Sequence, residues 1–341
     1  MTKSPTNDHA AKPLRGIVPP LVTPLADRET LDPAGLQRLV EHVLAGGVSG
    51  LFLLGTTGEG PSLSYALREE VVRRAARQVA GRLPIVVGVT DTSMVESLRL
   101  AEVAAESEAL AVVLAPPPYF PVRQDDLRRY VERMAEESPL PLILYNMPSH
   151  SKLVFEPEMV RALVEIPRIV ALKDSSGDLD YFRRVGEIAA QRDDFSLLMG
   201  PEELLAEAVA LGADGGVCGG ANLRPKLYVD LFRAASQARD RAEGRGESRR
   251  VRELHAEVLR TAESLYRCDE GSAGVIKGLK YALSVLGICR NVVAEPLQPL
   301  DPDQQERIRG KLAELHVSPV AAGPDRGRRP AEATLSAIRG T

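Results

Sequence analysis

Eight short aliphatic runs, each followed by a loop and then an amphipathic stretch, predict a (β/α)8 TIM barrel with a small C-terminal α-helical appendage. Three observations carry this reading. The runs number eight. They are apolar on both faces, as strands of a parallel sheet covered by helices must be. Together the repeats fill about 220 residues, close to the ~250 typical of such a barrel. A doubly wound open sheet is the alternative, but no GxGxxG follows the first run.

In chain order the runs are IVPPLV from Ile17, GLFLLG from Gly50, PIVVGVT from Pro84 and ALAVVLAP from Ala109. PLILYNM from Pro141, IVALKDS from Ile169, SLLMG from Ser196 and GGVCGG from Gly215 complete the set. The stretches between them read as helices. Leu36, Leu39, Val40, Val43 and Leu44 make one apolar stripe, with Asp32 placed to cap it and Pro33 at the first helical position. Ser93 and Glu96 have capping-box spacing. Pro157 opens a helix bearing Met159, Val160, Leu163 and Val164, and Leu204, Leu205, Ala208 and Val209 form a stripe after Pro201 that ends at Gly212.

The repeats end near Ala235, so the barrel is expected over 14–235 and a helical region over 236–317, with Leu254, Val258, Ile276, Leu279 and Leu283 as its periodic apolar positions. Residues 1–13 and 318–341 are expected to be poorly ordered tails. The arginine-rich segment ARDRAEGRGESRRVRE interleaves acids, which marks a solvated face rather than a nucleic-acid patch.

Composition excludes several classes. The 341 residues are 44% hydrophobic, enough for a sizeable core, and carry a net charge of −4, too mild to imply nucleic acid or an anionic membrane. No apolar run approaches the ~20 residues that span a bilayer. The N-terminal MTKSPTNDHAAKPLRG lacks the apolar stretch of a secretory signal, so a cytoplasmic protein is expected. Cys218, Cys268 and Cys289 show no CxxC spacing, and the five histidines show no ligand spacing, so neither a disulfide framework nor a metal site is expected.

In this architecture the chemistry sits at the C-terminal ends of the strands. The sixth run ends in Leu-Lys173-Asp-Ser-Ser-Gly. Strand alternation puts Ile169, Ala171 and Lys173 on one face, with the lysine pointing into the barrel above the small Ala171. A partly dry interior favours the free amine, the form that attacks a ketone to give an iminium electron sink. A salt-bridged or snorkelling lysine is the plainer alternative. The fifth run ends in Tyr145-Asn-Met-Pro-Ser-His150, where Tyr145 is placed to relay protons or simply to hydrogen-bond. The second ends in Gly55-Thr56-Thr57-Gly58-Glu59-Gly60, whose backbone N–H groups can hold a carboxylate and whose hydroxyls can extend a relay. Glu59 reads as structural rather than as a general base. The fourth ends in Pro-Pro-Pro-Tyr119-Phe120-Pro, a stiff loop presenting two aromatics to the cavity or to a partner subunit.

These segments, in this order, resemble the dihydrodipicolinate synthase/N-acetylneuraminate lyase family of pyruvate-handling class I aldolases. The resemblance runs from about Ile17 to Gly287 and rests on LVTP (21–24), GTTGE (55–59), YNMPS (145–149), LKDSSG (172–177) and GGANL (219–223). It implies a (β/α)8 barrel with C-terminal helices and an enzyme that needs no metal or organic cofactor. It implies Lys173 as the Schiff-base lysine, Tyr145 and Thr56 as proton carriers, and Thr57 with Gly55 and Gly219 around the substrate. Tyr119 corresponds to a tyrosine that in many members reaches into a neighbouring subunit's site, so a homodimer or homotetramer is expected. The partners implied are a 2-oxo acid and an aldehyde.

One departure matters. Synthases proper carry an arginine after the YNxPS motif to hold the carboxylate of aspartate semialdehyde; here that residue is His150. A neutral imidazole cannot supply a permanently charged bidentate fork. The sequence therefore favours a lyase or dehydratase acting on pyruvate or a 2-oxo-3-deoxy sugar acid. The alternative is 4-hydroxy-tetrahydrodipicolinate synthase itself, and a more remote one is a non-catalytic 2-oxo acid sensor.

Overall fold

The computed structural model describes residues 14–241, 248–268 and 273–317. The expected tails lie outside these residues, as does the centre of the arginine-rich segment, 242–247. Seven of the eight aliphatic runs contain a strand and the first shares only Ile17 with one: β1 (Gly16–Ile17), β2 (Leu51–Leu53), β3 (Ile85–Gly88), β4 (Ala111–Leu114), β5 (Leu142–Asn146), β6 (Ile169–Asp174), β7 (Ser196–Met199) and β8 (Gly215–Gly216). Every neighbouring pair is parallel, in the order β1-β8-β7-β6-β5-β4-β3-β2. A parallel bridge from Pro20 to Phe52 in β2 joins the two ends, so the sheet closes as a (β/α)8 barrel.

Strands β1 and β8 are short for local reasons. Pro19 and Pro20 have no N–H to extend the first ladder. At Gly215 a Cβ would stand 2.1 Å from the Gly16 carbonyl oxygen, so β1 and β8 approach more closely than any side chain permits. The barrel interior is filled by Val18, Phe52, Val86, Val113, Ile143, Ala171, Leu198 and Val217. A second apolar layer lies between strands and helices and includes Leu51, Val87, Leu172, Leu39, Val131 and Val185.

The surrounding helices are α1 (Pro33–Ala45), α2 (Tyr65–Val79), α3 (Met94–Glu106), α4 (Gln124–Glu137), the single turn α5 (Pro148–Ser151), α6 (Pro157–Val164), α7 (Leu179–Ala189), α8 (Leu205–Ala210) and α9 (Pro225–Asp240). Asp32 caps α1 by accepting the Gly35 N–H at 2.9 Å, with Pro33 inside the first turn. Ser93 caps α3 at the Glu96 N–H, while the Glu96 carboxylate pairs with Arg99 at 2.6 Å. After Pro201 the chain first makes a 3-10 turn over Glu202–Leu204 and only then enters α8. Helix α9 runs past the boundary expected at Ala235, and α10 (Arg249–Tyr266), α11 (Ala273–Val285) and α12 (Pro302–Glu314) follow. No described helix is long and apolar enough to cross a membrane.

Strand β6 departs from simple alternation. Leu142 pairs with Ile169 but Ile143 pairs with Ala171, so Val170 is an extra residue, a β-bulge. Ile169 consequently packs in the outer layer and not on the face of Ala171. From Ala171 onward the alternation resumes, which leaves Ala171 inside the barrel, Leu172 outside and Tyr145 in register with Lys173.

Candidate active site

Lys173 and Tyr145 are paired neighbours on β6 and β5, near the C-terminal ends of both strands, and only 5% and 6% exposed. Lys173 Nζ stands 3.8 Å from the centroid of the Tyr145 ring and 5.2 Å from that of Phe52. Phe52 meets Tyr145 edge-on with centroids 6.2 Å apart, so the lysine is held between two aromatic walls. The Tyr145 hydroxyl lies 3.3 Å from Thr56 Oγ1. Burial pushes the Tyr145 phenol up, but the Lys173 charge together with hydrogen bonds from Thr56, Lys173 and Ser175 outweighs it and leaves the phenol below its ordinary value. A lysine amine and an acidified phenol in contact, with a hydroxyl behind them, can add an amine to a carbonyl and move the protons that this requires.

The strand ends are locked from the other side. Asn146 and Asp174, both fully buried, face away from the lysine, and Asn146 Nδ2 donates to Asp174 Oδ1 at 2.8 Å. Asn146 Oδ1 accepts the Phe155 N–H, and Asp174 accepts the N–H and hydroxyl of Ser176. Burial raises the Asp174 carboxyl against these bonds.

Above this pair opens a cavity of about 330 Å3. Phe52, Gly55, Thr56, Tyr145 and His150 border it, and Leu54, Val113, Met147, Ile276, Pro296 and Leu297 give it a largely apolar wall. Gly55 is required at its position, since a Cβ there would lie 2.7 Å from the Phe52 ring. His150 sits on α5, with Nδ1 2.9 Å from Ser149 Oγ. Desolvation and the positive charges of Lys152 and Lys173 hold its imidazole below the ordinary value, which favours the neutral form. Arg68 also borders the cavity, yet each of its side-chain nitrogens is engaged, with Leu63 O, Pro61 O and Asp91.

The structure thus brings Tyr145, Thr56, Gly55 and His150 to one cavity, with Lys173 against the Tyr145 ring on the barrel-interior side, outside the cavity lining. Thr57 and Gly219 follow β2 and β8 at the same mouth, half-buried, but stand outside the cavity lining. Tyr119 is not in this chain's site. It is 86% exposed on the loop between β4 and α4, with a left-handed φ of 86° and its ring edge-on to the exposed Phe120.

Sequence reasoning missed a second buried carboxylate. Glu202, 3% exposed, accepts the hydroxyls of Tyr228 on α9 and Tyr266 on α10 at 2.5 and 2.8 Å, and the Gly220 N–H at 2.8 Å. Burial pushes its carboxyl up to about 7. Its partners are 18, 26 and 64 residues away, so no local pattern announces them.

The dihydrodipicolinate synthetase family model matches residues 13–315. The chain is 35% identical to the 4-hydroxy-tetrahydrodipicolinate synthase of Thermomicrobium roseum, over 91% of this chain and 98% of that protein. It is 34% identical to a synthase of the same name from Thermus thermophilus, over 89% of this chain and 96% of that protein. Among solved structures, dihydrodipicolinate synthase from Bacteroides thetaiotaomicron superposes with a TM-score of 0.83 at 46% identity, covering 89% of this chain and 99% of that one. YagE from E. coli K12, a prophage protein of the dihydrodipicolinic acid synthase family solved with pyruvate, superposes with a TM-score of 0.81 at 26% identity over the same shares. The chain therefore belongs to the dihydrodipicolinate synthetase family and is an enzyme of its class I kind, a lyase that works through a lysine imine.

Proposed function

We propose that Lys173 forms an imine with pyruvate and that the resulting enamine is joined to an aldehyde, the activity of a 4-hydroxy-tetrahydrodipicolinate synthase. The observation that carries the reading is the Lys173–Tyr145–Thr56 arrangement, in which Tyr145 and Thr56 border the cavity and Lys173 lies against the Tyr145 ring. The names of the relatives, similar over nearly their whole lengths, favour aspartate semialdehyde as the aldehyde. In this reading the Lys173 amine attacks C2 of pyruvate, and Tyr145 protonates the departing hydroxyl as the carbinolamine loses water. The Tyr145 phenolate left by that transfer then takes a proton from C3, which gives the enamine and restores the phenol. Its C3 attacks the aldehyde carbon, the new alkoxide takes a proton from Tyr145, and hydrolysis of the imine frees Lys173. Thr56 passes protons between Tyr145 and the cavity, while Thr57 with the Gly55 and Gly219 backbones holds the carboxylate. The lysine imine is itself the electron sink, so the scheme uses neither metal nor organic cofactor. Tyr119 is assigned to a neighbouring subunit's relay, which makes the working enzyme a homo-oligomer.

A second reading keeps the pyruvate chemistry and changes the aldehyde. His150, whose neutral form is favoured, and Arg68, already ion-paired with Asp91, offer a carboxylate-bearing aldehyde no unpaired fixed charge, which favours a neutral or hydroxylated partner, as in cleavage or dehydration of a 2-oxo-3-deoxy sugar acid. Steady-state assays with pyruvate and either aldehyde class decide. Turnover with aspartate semialdehyde is expected; negligible turnover at saturation, with turnover of a sugar-derived aldehyde, would select the second reading.

A further inference from the structure

The C-terminal helical region reaches into the barrel mouth through one buried ion pair. Glu59, the last residue of GTTGE, borders the cavity, and its side chain is 1% exposed. Oε2 contacts the ammonium of Lys280 on α11, whose side chain is fully buried, and Oε1 accepts the Ala294 N–H at 2.6 Å. The same ammonium donates to the Val292 carbonyl at 2.7 Å. Glu59 and its partners are more than two hundred residues apart in sequence, yet this is where the second strand's loop is fastened.

The loop itself is under backbone strain. Leu54 and Glu59 both hold left-handed φ values, 57° and 56°, which side-chain-bearing residues adopt only when their surroundings enforce it. Between them lie Thr56 and Thr57. The Glu59 N–H donates to the Thr56 carbonyl at 3.0 Å, so the anchor acts directly on the relay threonine. The Thr56–Tyr145 contact, at 3.3 Å, is long for a hydroxyl pair, and a small shift of the loop would break it.

We propose that Glu59 and Lys280 are positioning residues for the reaction: the pair fixes the strained loop so that Thr56 meets Tyr145, making the C-terminal helices part of the catalytic apparatus. This rests on the imine reading above. Burial opposes both charges, raising the Glu59 carboxyl and lowering the Lys280 ammonium, so each depends on the other. Neither group touches the reacting atoms.

The test uses Glu59→Gln, Lys280→Met and the double variant in the full chain. Each single change leaves an uncompensated buried charge and destabilises the fold, whereas the double change removes both charges and restores much of the melting temperature. The double variant is expected to lose about ten- to hundredfold in kcat through the misplaced relay. The acid limb of its pH–rate profile should move to higher pH, because Tyr145 loses the Thr56 bond that lowers its pKa. A folded double variant with wild-type kcat and pH profile would overturn the proposal. So would recovery of none of the three as folded protein, since the pair would then be a folding requirement alone. Wild-type enzyme treated with pyruvate and borohydride is the control. If Lys173 is not trapped there, the imine reading fails; if it is trapped and the double variant is fully active, only the positioning role fails.

Discussion

Tyr145 is subject to opposing influences whose balance is tuned by Thr56. Burial alone would make it a poor acid, and the Lys173 charge and the Thr56 bond reverse that. Replacing Thr56 with Val removes a lowering influence, so the phenol must rise and any step that needs it deprotonated must shift upward in pH. The acid limb of kcat against pH is expected to move to higher pH, and Tyr145→Phe is expected to cost about 10²–10⁴ in kcat. An unmoved limb in Thr56→Val would detach the threonine from the relay. In the proposed function, His150 is the cavity residue that discriminates between aldehydes. With His150→Arg a fixed charge faces the cavity, and each charge-assisted hydrogen bond gained is worth about 1.5–3 kcal/mol. That corresponds to about ten- to hundredfold in kcat/KM for a carboxylate-bearing aldehyde. Equal kinetics before and after would mean that the carboxylate is held elsewhere.

At the scale of the elements, periodicity made the barrel legible and long-range pairing did not show. Each strand could be read because both of its faces are apolar, a property of its own residues. Lys173 and Tyr145 could be placed because alternation near the ends of β6 and β5 points them inward. The bulge at Val170 was invisible, because an extra residue shows only against the partner strand. Glu59–Lys280 and the cluster around Glu202 escaped for the same reason. The Glu202 cluster ties the loop before α8 to α9 and α10 and makes its own prediction. A carboxyl raised in the folded state from 4.5 to about 7 leaves the native protein holding more protons than the unfolded chain between those values. Stability therefore falls as pH rises through that window, by about 3 kcal/mol for this one group. Urea unfolding at pH 5 and pH 8 should show the wild type losing that much relative to Glu202→Gln. Parallel losses in the two proteins would show that Glu202 does not titrate there.

For the whole molecule, the single chain supplies the floor and walls of the site but leaves Tyr119 and Phe120, 86% and 71% exposed, on a strained loop at its edge. Two exposed aromatics on a proline-stiffened loop suit burial against another copy. In the proposed oligomer, Tyr119→Ala lowers kcat while pyruvate trapping at Lys173 persists, and sedimentation shows a weakened assembly. A monomeric wild type with full activity would remove Tyr119 from the relay. All of this depends on a covalent event at one side chain. Incubation with saturating pyruvate, borohydride reduction and peptide mass analysis test it most directly. The expected result is a reduced pyruvyl adduct on Lys173 and no other lysine, Lys280 included. An unmodified Lys173 under those conditions would contradict the account.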